Sequence, residues 1–247
     1  MSEGDRLSRI DTLWSVIRRA HGQDMDACRS AQQQLLDHYG LAIRRYLGAA
    51  LRAETAVDAV FQEFGLAFVR GDYQSAHPER GKLRSFLKTV LFRLVADYRR
   101  TLYRREAPAA EVAEEIQAVE GDPFVEEEQF TTAWRDTLLE LAWKRMESTE
   151  KETQKTLFTV LRYRVDHPEL SSSELASRLT DKLGRPISPA NARVLTHRAR
   201  EKFTKHLIDE VLPSLTEPTL ECLEEELIEL DLIVYCRDAL QQMRQKE

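Results

Sequence analysis

Between Val57 and Tyr98 the large apolar residues recur at the spacing of an α-helix, break once, and resume at the same spacing. Val57, Val60, Phe61, Phe64 and Phe68 fall at i, i+3, i+4 and i+7, which puts them on one buried face. Glu54, Asp58 and Gln62, four apart, then share an outward stripe. The run from Asp72 to Gly81 contains Pro78 and Gly81 and ends the periodicity, because Pro fixes φ and lacks a donor while Gly closes turns. Leu83, Phe86, Leu87, Val90, Leu91, Leu94 and Tyr98 form the second stripe, surrounded by Lys82, Arg84, Lys88, Arg93, Arg99, Arg100, Arg104 and Arg105. An acidic helix followed by a basic one suits a module that holds a protein on one surface and a nucleic acid on another.

The rest of the chain has the same character. Only 9 Gly and 8 Pro occur in 247 residues, and alternating β-branched runs are hard to find, so an all-α fold is expected. The hydrophobic content of 42% is enough for one or two cores. No apolar run approaches the ~18 residues of a membrane span, and Met1–Arg6 does not read as a signal peptide, so a cytoplasmic location without membrane contact is expected. Cys28, Cys222 and Cys236 are far apart and lack paired Cys or His spacing. They read as small apolar side chains rather than disulfide or zinc ligands. No catalytic dyad, phosphate loop or metal spacing is found, and no enzyme activity, cofactor or metal is expected.

The net charge of −6 conceals a strong separation of sign. Residues 79–105 carry nine Lys or Arg against Glu79 and Asp97, whereas residues 106–129 carry nine acids and no base. Affinity for a phosphate backbone depends on local cations, so the net value does not exclude nucleic acid.

Four segments follow in order. Residues 1–105 hold an N-terminal helix with Trp14 and Ile17, a further stripe of Leu35, Tyr39, Ile43, Tyr46 and Leu47, and the helix pair above. Thr55–Asp58 has the spacing of a capping box. Residues 106–130, with Pro108, Gly121 and Pro123, read as an extended or partly helical acidic linker. In residues 131–212, Trp134, Leu138, Leu141 and Met146 and then Leu157, Val160, Leu161 and Val165 mark two helices. A helix-turn-helix follows: Ser171–Glu174 is a capping box, Gly184-Arg185-Pro186 a turn, and Ser188-Pro189 an N-cap with Pro at the first helical position. In its second helix Ala192, Leu195, Ala199 and Phe203 point inward, leaving Asn191, Arg193, Thr196, His197, Arg198 and Arg200 for phosphates and base edges. Residues 213–247 form an acidic extension with Leu220, Leu223, Leu227, Leu230 and Val234 on one stripe. That extension could pack on its own domain, enter a partner's groove, or cover a basic DNA-reading surface.

Ala56–Phe64, Pro78–Leu87 and Val95–Arg100, in this order and with these gaps, resemble region 2 of bacterial extracytoplasmic-function (ECF) sigma factors. The helix-turn-helix, with Arg198-Ala199-Arg200 at its close, resembles sigma region 4, although the turn from Asp181 to Ile187 is longer than usual. Trp14–Ile17 and the Leu-Glu-Glu-Glu-Leu tail resemble a longer subset of that family.

The resemblance implies two helical domains joined by a linker and a role in transcription initiation. Glu54, Asp58, Gln62 and Glu63 would face the basic β′ coiled coil of core RNA polymerase. Tyr73, His77, Lys82, Arg84, Lys88, Arg93, Arg99 and Arg100 would open and follow the promoter −10 element, where a flipped base needs a pocket and the strand needs cations. The second helix of the helix-turn-helix would read the −35 element. Most members carry an acid where this chain has Ala59, and phosphorylation of Thr55 would add about −1.5 to −2 charge there. An anti-sigma factor or a Ser/Thr kinase would be a further partner. Two other classes fit the residues: a stand-alone helix-turn-helix regulator that does not bind polymerase, and a helical protein-interaction module.

Overall fold

The computed structural model describes residues 25–70, 72, 82–106, 122–215 and 217–245. The expected N-terminal helix with Trp14, the expected turn with Tyr73 and His77, and residues 107–121 of the expected linker lie outside the described residues. The fold is all-α: nine α-helices and one 3-10 turn make up the regular structure among the described residues. We number the α-helices α1 (Met25–Leu51), α2 (Glu54–Arg70), α3 (Leu83–Glu106), α4 (Pro123–Thr153), α5 (Leu157–Asp166), α6 (Ser172–Leu183), α7 (Pro189–Val211), α8 (Leu220–Glu229) and α9 (Ile233–Arg244). Among the described residues no helix is long and apolar enough to cross a membrane, and no cluster of His, Cys, Asp and Glu could hold a metal ion.

The chain divides into two compact units, one formed by residues 1–137 with 212–232, the other by 138–211 with 233–247. Helix α4 contributes residues to both. Its start at Pro123 lies within the stretch expected to be linker, so residues 123–130 are helical and belong to the first unit.

In the first unit α1, α2 and α3 bury the stripes expected of them: Leu35, Tyr39, Ile43, Tyr46 and Leu47; Val57, Val60, Phe64 and Phe68; Leu83, Leu87, Val90 and Leu91. Arg52, at φ 61°, turns the chain from α1 to α2, and its N–H closes α1 on the Gly48 carbonyl at 3.0 Å. Helix α2 begins at Glu54, one residue before the expected cap, so Thr55 lies in the first turn and Asp58 turns to Arg44 instead. Helix α4 adds Phe130 and Trp134 to a column of rings. Trp134 stacks on Tyr39 with centroids 4.4 Å apart and on Phe130 at 5.7 Å, while Tyr46 meets Phe130 and Phe92, each at 5.5 Å. Each such pair adds about 0.5–1.5 kcal/mol beyond the area it buries.

The acidic extension is two helices rather than one. Thr219 caps α8 by accepting the Cys222 N–H at 3.2 Å. The C-terminus closes as a Schellman motif, with Asp231 at φ 56°, its N–H on Ile228 O at 3.0 Å and Leu232 N–H on Leu227 O at 2.8 Å. Leu220, Leu223, Leu227 and Leu230 are buried, whereas Val234 is exposed because the left-handed residue starts a new helix with a new phase.

The second unit is built around α7. Val160, Leu175, Ala176, Leu179, Ile187 and Ala192 form one cluster, and Met146, Leu161 and Ala199 form another under Trp143, Phe158 and Phe203. The capping box on α6 is present: Ser171 Oγ accepts from Glu174 N–H at 3.3 Å, and the Glu174 carboxylate accepts from Ser171 N–H at 2.8 Å. The Ser171 hydroxyl beside the Glu174 carboxylate, and after it the Ser171 N–H, hold the Glu174 pKa below its usual range. Gly184 at φ 64° closes α6, a conformation a Cβ would strain. Ser188 Oγ accepts the Asn191 N–H at 3.2 Å, and Pro189 opens α7. His206 on α7 is buried with Nε2 3.3 Å from Thr149 Oγ1.

Two predictions test these cores. Trp134→Ala should lower unfolding free energy by about 3–5 kcal/mol, read by chemical denaturation. Burial, and after it the Lys202 and Arg145 charges, depress the His206 pKa to about 4. The unfolded imidazole binds its proton near 6.5, so this contribution is complete above that pH and is lost as pH falls toward 4. Stability should therefore drop by up to about 3 kcal/mol across that window, and His206→Gln should flatten the drop. Urea titrations of both proteins at a series of pH values measure it.

Candidate nucleic-acid and partner interfaces

The basic residues of α3, with Lys82 just before it, fall into two sets. Arg93, Arg104 and Arg105 are exposed, and Arg100 pairs with Asp97 one turn earlier at 3.0 Å. Lys82, Arg84, Lys88 and Arg99 instead meet carboxylates from α8 and α4. Arg84 Nε donates to Glu226 Oε1 at 2.7 Å, and its Nη2 donates to Glu229. Lys82 Nζ lies 2.7 Å from Glu229 Oε1 and 3.3 Å from Glu226 Oε2. Burial pulls the Lys82 pKa down, but the Glu229 hydrogen bond and the two carboxylate charges outweigh it, and the net shift is upward. Lys88 Nζ reaches Glu127 Oε1 at 2.5 Å, and Arg99 pairs with Glu126 while donating to the Ala50 carbonyl at 3.1 Å.

Arg84 departs from the expectation that it faces DNA. It is 5% exposed and Glu226 is 1% exposed, so this pair is buried in the first unit. The reason lies in helical phase. Arg84 sits beside Leu83 and one turn before Leu87, at the edge of the buried stripe. Glu226 falls three residues after Leu223 and four before Leu230, on the apolar stripe of α8 itself. Glu226, Glu229, Glu126 and Glu127 are partners beyond the residues that the sequence pattern singles out. A glutamate in register with leucines was the legible signal, since a buried carboxylate needs a cation.

On α2, Glu54, Gln62 and Glu63 are exposed and Asp58 is half-exposed. Asp58 Oδ1 accepts from Arg44 Nη1 at 2.8 Å, and the Arg44 guanidinium also lies 4.3 Å from the Phe61 ring centroid. Arg44 therefore tempers the acidic face, a role not evident from sequence. Gln62 and Glu63 border a shallow cleft of about 490 Å³ together with Ala59, Leu66, Arg70 and Leu94. Leu66 is 54% exposed there, and the lining also holds the Glu63 and Asp72 carboxylates and the Arg70 guanidinium.

On α7, Asn191, Arg193, His197, Arg198 and Arg200 are exposed. At 100° per residue Arg193, His197 and Arg200 fall within an arc of about 60°, and Asn191 and Arg198 flank the other side of the exposed face. His197 Nε2 lies 3.5 Å from Glu201 Oε1. Thr196 is a correction: it is 8% exposed, and its hydroxyl donates to the Ala192 carbonyl at 2.8 Å. It is four residues after Ala192 and three before Ala199, and so belongs to the inward face.

Compared with family models, curated proteins and solved structures, the chain matches none.

The buried pair makes a sharp stability prediction. Arg84→Ala should cost about 3–5 kcal/mol, because Glu226 would remain buried without its main partner. Arg84→Met combined with Glu226→Leu should recover most of that loss, and denaturant titration of wild type, single and double variants gives the coupling.

Proposed function

We propose that this protein is an ECF-type sigma factor acting in the cytoplasm, a non-enzymatic subunit that joins core RNA polymerase and directs it to promoters. The observation that carries the proposal is the second helix of the capped helix-turn-helix. It presents Arg193, His197 and Arg200 outward on one arc of α7, while Ala192 and Ala199 anchor it in the core. A helix held this way suits a DNA major groove, with Arg able to bond guanine edges or phosphates. In the other unit, the cleft along α2, with the exposed Leu66 and the Glu63 and Asp72 carboxylates in its lining, suits a basic amphipathic helix, the chemistry of the polymerase β′ coiled coil. The resemblance of α2 and α3 to sigma region 2 supports the same assignment. The exposed Thr55 in the first turn of α2 is well placed for a kinase, since a phosphate there favours the helix N-terminus and adds charge beside Glu54.

Run-off transcription with purified core polymerase tests the proposal. The protein, as purified or phosphorylated at Thr55, should direct initiation from its promoters, found by sequencing the products. Asp58→Lys with Glu63→Lys should weaken polymerase binding about 5- to 100-fold, as expected for losing charge-assisted contacts. Duplex footprints without polymerase would indicate a stand-alone regulator instead. The absence of both polymerase and DNA binding would indicate an interaction module.

A further inference from the structure

We propose that α8 is an autoinhibitory element, its carboxylates occupying the end of α3 where nucleic-acid phosphates would otherwise bind. The inference rests on the proposed sigma-factor reading, in which the resemblance to region 2 gives α3 the −10 strand. Lys82 and Arg84 stand at the N-terminal end of that helix, and each is held by both Glu226 and Glu229. A carboxylate presents a guanidinium or ammonium with the same charge and the same oxygen acceptors as a phosphate. Strand and α8 therefore compete for one set of donors. They cannot both hold Arg84, which is almost wholly enclosed.

The closed arrangement is the resting one. Leu220, Leu223, Leu227 and Leu230 are buried on the same face as Glu226, so α8 is held by apolar burial and its acids set what it covers. Thr219 and the Schellman motif cap the helix at both ends, so its terminal N–H and C=O groups are satisfied within residues 219–232. Glu126 and Glu127 hold Arg99 and Lys88 similarly, but they sit on α4, a helix of 31 residues, whereas α8 has ten. The switchable contact is therefore α8. A strand that binds at this end of α3 takes over Lys82 and Arg84 and loosens α8 in the same step.

The test uses the full chain and a fluorescein-labelled single-stranded oligodeoxythymidylate. Glu229, 48% exposed in its side chain, is the more accessible of the two acids, and Glu229→Lys should tighten binding about 3- to 10-fold. Glu225→Lys, the same charge change at an exposed site of α8, is the control and should bind like wild type. Hydrogen exchange of the wild-type chain should show residues 220–229 losing protection when the oligonucleotide is bound. Equal gains in Glu229→Lys and Glu225→Lys, or a bound oligonucleotide with α8 protection unchanged, would overturn the autoinhibitory role and leave nucleic-acid binding standing. If wild type, Glu229→Lys and the Glu226→Gln, Glu229→Gln protein all fail to bind the oligonucleotide, both the autoinhibition and the role given to α3 fall.

Discussion

Arg84 and Glu226 face each other at 2.7 Å with almost no exposure, and the first unit is arranged so that neither charge is buried alone. Removing one member of such a pair strands a charge in a medium that solvates it poorly, whereas keeping both costs the desolvation of each. The same need explains the neighbouring contacts. Helix α3 brings cations to the margin of its apolar stripe, and α4 and α8 each bring a glutamate in register with their own buried rings or leucines. Packing these helices together thus aligns hydrophobic faces and matches charges in one step. The ring column through Tyr39, Trp134, Phe130, Tyr46 and Phe92 adds the apolar contact that holds α1, α3 and α4 in that register.

The candidate surfaces differ in how far the protein has already satisfied them. On α7 the exposed cations stand around a helix locked by small inward residues, a rigid platform for recognition. On α2 the acidic stripe is partly tempered by Arg44, which leaves Glu63 and the cleft beside it as the more open portion. On α3 half of the basic face is neutralised from within. Local charge in the sequence gives α3 and α7 alike a basic face, although on α3 half of it is paired with glutamates from α4 and α8.

How much was legible depends on the range of the interaction. Leu35, Phe64, Leu87 and Leu223 are buried as their spacing requires, and the Ser171–Glu174 box and the Pro189 start form as written, because each depends on residues within one or two turns. Thr196 faces inward although its residue type suggests the surface, since a polar side chain on an inward register can bond back to the helix and count as core. Arg84 and Val234 depart from the pattern for other reasons. Arg84 needed a partner 142 residues away to be buried, and Val234 lies beyond a left-handed Asp231 that breaks a stripe the periodicity alone would continue.

Sequence alone determined that the chain is helical, where most of its apolar faces lie, and which helices carry which sign of charge. These follow from backbone periodicity and side-chain type, which are properties of short segments. Only the tertiary structure decided which acid meets which base, that α4 runs unbroken from Pro123 to Thr153 and contributes to both units, and that α8 sits on the basic end of α3. Those outcomes depend on the pairing of surfaces far apart in the chain. A buried charge accepts only a partner placed within about 3 Å by all the packing around it, and no single segment encodes that distance.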